Sequence, residues 1–96
     1  MPNGSKAAAA TGVQLYTSPG CPDCAAVRRL LLERGIAFEE RSVTAPGVAD
    51  EAKRRYGVRV APITVIGDTV LYGTFAIQRP ELERLLALHS QVFDTR

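Results

Sequence analysis

The chain contains 96 residues, of which 46% are hydrophobic and 23% are charged, and its formal net charge at pH 7 is +2. This length and composition predict one folded domain with a modest core and exclude an intrinsically disordered chain. The small net charge favours no polyanionic partner, and no apolar run is long enough to span a bilayer, so neither nucleic acid nor a membrane is expected as a partner. Two cysteines are too few for a disulfide-rich secreted scaffold.

The ends of the chain are predicted to be tails around one domain at residues 13–90. Residues 1–12 lack the apolar segment of a signal peptide and are expected to form a flexible tail, and residues 91–96 are expected to form a C-terminal tail. These features favour a cytoplasmic protein in a reducing compartment.

The first predicted elements are a strand, a short loop and a helix. Val13–Thr17 is predicted to be a central strand because its apolar residues alternate. Pro22 suits the first position of a helix, where a missing N–H costs nothing, so Cys21 is the predicted N-cap. The helix is expected to end near Arg34, before a glycine.

The middle of the chain predicts a second strand and a second helix. Residues 36–43 alternate imperfectly, which favours a strand at the edge of a sheet. Pro46 is predicted to open a helix that ends near Tyr56, since apolar residues recur there at helical spacing.

The last third predicts a hairpin followed by a helix. A glycine and an aspartate form a two-residue turn between two apolar runs, residues 63–66 and 69–72, which are therefore predicted to pair as strands. Residues 73–79 are predicted to be a loop, and Pro80 is predicted to start the last helix. The order βαβαββα predicts an α/β fold in which a four-stranded mixed sheet is flanked by three helices.

The dithiol of Cys21 and Cys24 is the most informative feature of the sequence. It lies at a predicted strand-to-helix junction, where free N–H groups and the helix dipole favour the thiolate that attacks disulfides. The alternatives are half of a zinc site, a share of an iron–sulfur cluster, and inert buried thiols. A structural zinc site takes four ligands, and the chain has no second cysteine pair and a single histidine. We therefore assign no metal ligands and favour redox chemistry.

Three segments of the chain resemble glutaredoxins, which belong to the thioredoxin-like superfamily. The segments are Tyr-Thr-Ser-Pro-Gly-Cys-Pro-Asp-Cys at 16–24, Val-Ala-Pro at 60–62 and Val-Ile-Gly-Asp at 65–68. The resemblance implies a thioredoxin-like fold in which Cys21 attacks the substrate and Cys24 resolves the mixed disulfide. It also implies that a cis Ala61–Pro62 bond lies beside the two cysteines.

The resemblance further suggests which residues bind substrate. The backbone of Ala61, beside Pro62, is expected to pair with a bound peptide or with glutathione in the manner of a strand. Thr74 lies where the family binds the γ-glutamyl end of glutathione. Arg59 belongs to a basic cluster that is either a solvated face or a carboxylate-binding site, and it is the best placed of that cluster for binding. Tyr16 is predicted either to line the rim of the site or to pack in the core.

The chain departs from the family pattern around the dithiol. Asp23 replaces the usual aromatic residue between the cysteines, and its negative charge is expected to oppose thiolate formation at Cys21. A Gly-Thr-Phe sequence at 73–75 stands where the family has a glycine pair that binds glutathione. This difference favours the glutaredoxin-like donors that serve ribonucleotide reductase and are recharged by thioredoxin reductase. Residues 76–78 look like an insertion relative to those donors.

The sequence therefore predicts a thiol–disulfide oxidoreductase of glutaredoxin type that reduces protein disulfides or mixed disulfides. No bound cofactor is needed, and the oxidised dithiol is expected to be recharged by glutathione or by a flavoprotein, thioredoxin reductase. A monomer is expected. Two alternatives use the same fold: a protein that binds a metal or an iron–sulfur cluster through the same cysteines, and an interaction module whose thiols stay idle.

Overall fold

The computed structural model describes residues 12–58 and 60–94 of the chain, with side chains up to residue 88. Arg59, one of the predicted substrate-binding residues, lies outside this part, as do residues 1–11 of the predicted tail.

The described residues form three helices and four strands in the predicted order βαβαββα. Their bounds are β1 Val13–Thr17, α1 Pro22–Glu33, β2 Glu39–Ser42, α2 Val48–Tyr56, β3 Ile63–Ile66, β4 Thr69–Tyr72 and α3 Phe75–Asp94.

The strands form one mixed sheet in the order β2-β1-β3-β4. β1 is parallel to β2 and antiparallel to β3, and β3 and β4 form a hairpin. The parallel pair requires a crossover connection, which α1 supplies. The central place of β1 and the edge place of β2 are as predicted, and the predicted α/β class with a mixed sheet and three helices is confirmed.

Alternation along β1 divides the core between the two faces of the sheet. Val13 and Leu15 point to one face, where they pack with residues of α1 and α3, namely Val27, Leu30, Leu31, Leu82 and Leu86. Tyr16 points to the other face, where it packs with Val48 and Ala52 of α2. Each fully buried leucine or valine stabilises the fold by about 1.5–3 kcal/mol relative to an exposed one.

β2 and α2 are shorter than predicted. The sequence predicts a strand over residues 36–43, but only Glu39–Ser42 pairs with β1, and Ile36 is buried in the core outside the ladder. α2 begins at Val48 rather than at Pro46, because the preceding glycine, with a φ of 80°, is its N-cap. Both differences concern the ends of elements and leave the topology unchanged.

α3 begins at Phe75, so the predicted loop at residues 73–79 and the predicted helix start at Pro80 are wrong. Thr74 caps the helix, since its hydroxyl accepts a hydrogen bond from the N–H of Ile77 at 3.3 Å. Pro80 lies inside the helix, where its missing N–H leaves one gap in the hydrogen-bond ladder.

The far end of α3 reaches Asp94, so residues 91–94 of the predicted C-terminal tail are helical. Within the described part of the chain, no helix combines the length and the apolar character needed to cross a membrane.

Candidate active site

One end of the sheet gathers three chain segments around the dithiol. β1 ends at Thr17 and leads into the loop before Cys21. β3 runs antiparallel to β1, so the Ala61–Pro62 segment that precedes it lies next to the end of β1. β4 ends at the same end of the sheet, and residues 73–74 connect it there to α3.

The two cysteines occupy the start of α1 and form a disulfide, with their Cα atoms 5.2 Å apart. Cys21 is the N-cap, as predicted: its φ and ψ are −96° and 107°, and its Sγ accepts the N–H of Cys24 at 3.0 Å. Pro22 occupies the first helical turn, where no N–H is needed. Cys21 is partly exposed, whereas Cys24 is only 1% exposed. Of the two residues, Cys21 therefore has access to solvent and Cys24 is shielded.

The Asp23 carboxylate between the cysteines binds the start of α3. Its Oδ1 accepts a hydrogen bond from the backbone N–H of Phe75 at 3.0 Å. The sequence predicts that this charge opposes thiolate formation at Cys21, and the free N–H groups of α3 offset part of that charge. The two bonded residues are 52 positions apart, so no local sequence pattern indicates the contact.

Gln78 is a buried side chain of this region to which the sequence analysis assigns no role. It is 2% exposed. Its Nε2 donates to the carbonyl oxygens of Pro62 at 2.9 Å and Gly73 at 3.0 Å, and its Oε1 accepts from the Thr64 hydroxyl at 2.7 Å. One helical turn separates it from Leu82 on the inward face of α3, and this spacing is the signal that marks a buried position.

Three predicted substrate-binding residues lie at this end of the sheet. The Ala61–Pro62 peptide bond is cis, as the resemblance implies. Ala61 is partly exposed, Pro62 is buried, and Thr74 is exposed at the start of α3. Of these three residues, Ala61 and Thr74 are therefore accessible to solvent at the end of the sheet that carries the dithiol.

Tyr16 lies apart from this group, on the α2 face of the sheet. Its side chain is fully buried, its hydroxyl donates to Oε2 of Glu51 at 2.8 Å, and its ring packs edge-on against Tyr56 with centroids 5.8 Å apart. Burial, and then the hydrogen bond to Glu51, raise the pKa of Tyr16 well above its usual value. Of the two predicted roles, this position favours packing, since no part of the side chain reaches the surface.

Arg28, two turns into α1, is paired rather than free. Its guanidinium makes two hydrogen bonds to the Glu40 carboxylate, at 3.1 and 2.6 Å. This pairing, together with a hydrogen bond from the Thr17 hydroxyl, lowers the pKa of Glu40. Because the charge of Arg28 is neutralised, it adds little positive potential at the dithiol, while the network fixes the end of β1.

Among residues 12–58 and 60–88, no group of three or more histidine, cysteine, aspartate or glutamate side chains is arranged to hold a metal ion.

A thioredoxin-like sheet with a dithiol at the start of its first helix defines a thioredoxin-like redox protein. The family model for Glutaredoxin matches residues 13–71, which is more than half of the chain. The chain therefore belongs to the glutaredoxin family, a family of thiol–disulfide oxidoreductases, as the sequence predicts, and Cys21 and Cys24 are its redox-active pair.

Known relatives agree with this assignment. The glutaredoxin-like protein NrdH of Escherichia coli K12 is 36% identical over 56 residues, which cover 58% of this chain and 69% of NrdH. The crystal structure of the thioredoxin-like protein BC3987 is 30% identical with a TM-score of 0.66, and the match covers 76% of this chain and 97% of that one. The structure of NrdH-redoxin from Escherichia coli, a glutaredoxin-like protein described as having a thioredoxin-like activity profile, is 33% identical with a TM-score of 0.56. The match covers 70% of this chain and 91% of that one.

Proposed function

We propose that this protein reduces protein disulfides or mixed disulfides by thiol–disulfide exchange at Cys21 and Cys24. The observation that carries the proposal is the unequal environment of the two sulfurs: Cys21 is the partly exposed N-cap of α1, whereas Cys24 is 1% exposed. The free N–H groups and the dipole of α1 stabilise a thiolate at Cys21. A substrate therefore reaches the more nucleophilic sulfur while the other stays shielded.

The exchange takes two steps and transfers two electrons to the substrate. The Cys21 thiolate attacks one substrate sulfur, a Cys21–substrate disulfide forms, the substrate S–S bond breaks, and the leaving thiolate takes a proton from solvent. Cys24 then loses its proton to solvent and attacks the sulfur of Cys21. The intramolecular disulfide forms and the second substrate thiolate leaves. The Cα atoms, 5.2 Å apart, are already close enough for this ring closure.

The surface around the dithiol supports a protein substrate. The backbone of Ala61, next to Pro62, is proposed to pair with an extended substrate segment. Three large apolar side chains near the same strand ends are exposed, which favours contact with an apolar partner surface; they are Val60, Tyr72 and Ile77. On sequence grounds alone, Arg59 is proposed to bind a carboxylate.

A flavoprotein reductase is proposed as the reductant in preference to glutathione. The Asp23 carboxylate already accepts the N–H of Phe75, next to Thr74, so a glutathione carboxylate brought to Thr74 would meet a like charge. Each charge-assisted hydrogen bond lost this way costs about 1.5–3 kcal/mol, which weakens binding by roughly tenfold or more. The thioredoxin-like activity profile described for the NrdH-redoxin structure agrees with this preference.

A side-by-side recharging assay tests the proposal. The protein is supplied with insulin as the disulfide substrate and with NADPH, and it is recharged either by thioredoxin reductase or by glutathione with glutathione reductase. We expect faster NADPH consumption in the first arm. Faster turnover with glutathione would reverse the choice of reductant. Absence of turnover in both arms, together with no insulin reduction by the stoichiometric reduced protein, would contradict the proposed function itself.

We further propose that the protein acts as a monomer in the cytoplasm on disulfide-containing proteins, without a nucleic acid or membrane partner. A reducing compartment is where a dithiol of this kind is regenerated between turnovers. Sedimentation of the reduced protein at assay concentration tests the monomer.

A further inference from the structure

The β3–β4 ladder ends at the pair of Ile63 and Tyr72. The next residues, Pro62 and Gly73, lie just beyond it, and Gly73 leaves strand geometry with a φ of 106°. Pro62 has no N–H, so its backbone cannot donate to the carbonyl of Gly73.

The side chain of Gln78 supplies a donor from α3. Its Nε2 reaches the carbonyl oxygens of Gly73 at 3.0 Å and Pro62 at 2.9 Å, so one amide serves both carbonyls. The Thr64 hydroxyl donates to its Oε1 at 2.7 Å and thereby fixes which end of the amide faces the carbonyls. Gln78 and Thr64 are both buried, so these bonds form away from competing water.

We infer that Gln78 is a positioning residue for disulfide exchange, an inference that rests on the proposed function. By binding Pro62 and Gly73, it holds the two backbone segments beside the dithiol in one fixed relation. Asp23 makes a second tie, from α1 to the first turn of α3. A substrate that pairs with Ala61 then meets a segment that is already ordered, so its binding does not bear the cost of ordering that segment.

The test compares two variants that each lose buried hydrogen bonds. Gln78→Met has nearly the same shape and loses both donors, whereas Thr64→Val loses one bond to the same amide and leaves both carbonyl bonds in place. Each reduced protein is mixed with an excess of a disulfide-linked peptide in a single turnover, and the Cys21–Cys24 disulfide is followed by mass spectrometry. Alkylation by iodoacetamide, a reagent too small to need the flanking segments, is measured in parallel.

For Gln78→Met we expect the second-order rate of disulfide exchange to fall about tenfold, while alkylation of Cys21 changes less than about twofold and Cys24 stays protected. For Thr64→Val we expect exchange within about threefold of the wild type. Equal slowing in both variants, exposure of Cys24, or an unchanged rate in Gln78→Met would overturn the inference and leave Gln78 a purely structural residue. A wild type that fails to exchange overturns the proposed function and this inference together.

Gln78→Glu makes the donor at this position dependent on pH. Because an ionised buried carboxylate also destabilises the fold, urea unfolding at each pH checks that the variant stays folded over the range compared. Ionised, the new carboxylate faces two carbonyl oxygens and has no donor; protonated, it regains one. The partners of this side chain are uncharged, and the other ionisable groups of the site, Asp23 and Cys21, are the same in both proteins. The exchange rate of the variant relative to the wild type should therefore rise as the pH falls, and a ratio that stays flat contradicts the role of the donors. This variant also serves if Gln78→Met does not fold.

Discussion

Two polar clusters lie on opposite faces of the same sheet, one partly buried and one buried, and they differ in what their hydrogen bonds hold. On the α2 face, Tyr16 donates to Glu51 at 2.8 Å, and Arg41 also binds Glu51 at 2.8 Å. On the other face, the amide of Gln78 binds backbone carbonyls at the strand ends beside the dithiol. The first cluster joins side chains to one another, and the second fixes the backbone that a substrate is proposed to meet.

Burial and hydrogen bonding therefore do not by themselves mark a functional site. Tyr16 is next to Thr17 in the sequence and has a strongly shifted pKa, yet alternation along β1 turns it away from the dithiol. Gln78 has no charge and no titratable group, yet the fold brings it to the strand ends. Position relative to the ends of β1 and β3 therefore decides which cluster contributes to chemistry.

The largest expected effect comes from the two cysteines. Cys21→Ser should lower insulin reduction by about a hundredfold or more, because the attacking thiolate is lost. Cys24→Ser should still form a mixed disulfide but fail to release the substrate. Mass spectrometry of the protein after incubation with a peptide disulfide distinguishes the two variants. A peptide adduct on Cys24 in the Cys21→Ser protein, at the wild-type rate, would contradict the assignment of roles.

Tyr16→Phe tests the cluster on the α2 face, because its expected effect is on stability and not on activity. Disulfide exchange should stay within about twofold of the wild type, while the free energy of unfolding at pH 7 falls by about 1 kcal/mol through loss of the bond to Glu51. Urea unfolding and the single-turnover assay give the two numbers. A selective loss of exchange at unchanged stability would place Tyr16 in the site after all.

The raised pKa of Tyr16 adds a pH dependence to that variant. The folded state keeps the phenol neutral, so its stabilising contribution is complete below the unfolded pKa of about 10 and is lost as the pH rises above that value. The stability advantage of the wild type over Tyr16→Phe should therefore shrink between pH 9 and about 11. An advantage that grows with pH would contradict the direction of the shift.

Asp23→Asn separates the charge of this side chain from its contact with Phe75. Asparagine keeps an oxygen that can accept the N–H, so α3 should stay capped while the negative charge near Cys21 disappears. We expect the pKa of the Cys21 thiol to fall by less than about one pH unit, since the start of α3 already offsets part of the charge. Asp23→Tyr should also lower the pKa of the Cys21 thiol, although this variant loses the hydrogen bond from Phe75 as well. Thiolate absorbance against pH measures both, and a rise in either variant would contradict the argument.

The smallest expected effect is that of Glu40→Gln, in the exposed pair with Arg28. The Arg28 guanidinium holds the pKa of Glu40 below its usual value, so the contribution of the pair to stability is present above the unfolded pKa of about 4.3 and is lost as the pH falls through the folded value. Solvent screening limits it to about 0.5 kcal/mol at pH 7. Urea unfolding at pH 7 and at about pH 3 should show the difference from the wild type vanish at the lower pH. A difference that persists in acid would mean that packing, not charge, accounts for it.

Local signals in the sequence predict most of the fold. Pro22 and Cys21 predict the start of α1, and the two-residue turn predicts the β3–β4 hairpin, because each depends on residues adjacent in the chain. The start of α3 is predicted wrongly because a proline such as Pro80 is typical of the first position of a helix. The residue that caps the helix is Thr74.

The candidate site is predicted less completely, because its remaining parts depend on distant contacts. The contacts of Asp23 with Phe75 and of Gln78 with Pro62 join segments that only the folded sheet brings together. The burial of Tyr16 depends on which face of the sheet α2 covers, and the alternation of β1 alone does not say this.

The central claim is that the open N-cap sulfur attacks and the shielded sulfur resolves, and selective alkylation tests it most directly. The fully reduced wild-type protein is treated with a limiting amount of iodoacetamide at mildly acidic pH, and the labelled site is located by peptide mass spectrometry. We expect Cys21 to be labelled first and Cys24 to be labelled much more slowly, in keeping with the 1% exposure of Cys24. Labelling of Cys24 first, or of both cysteines at the same rate, would contradict it.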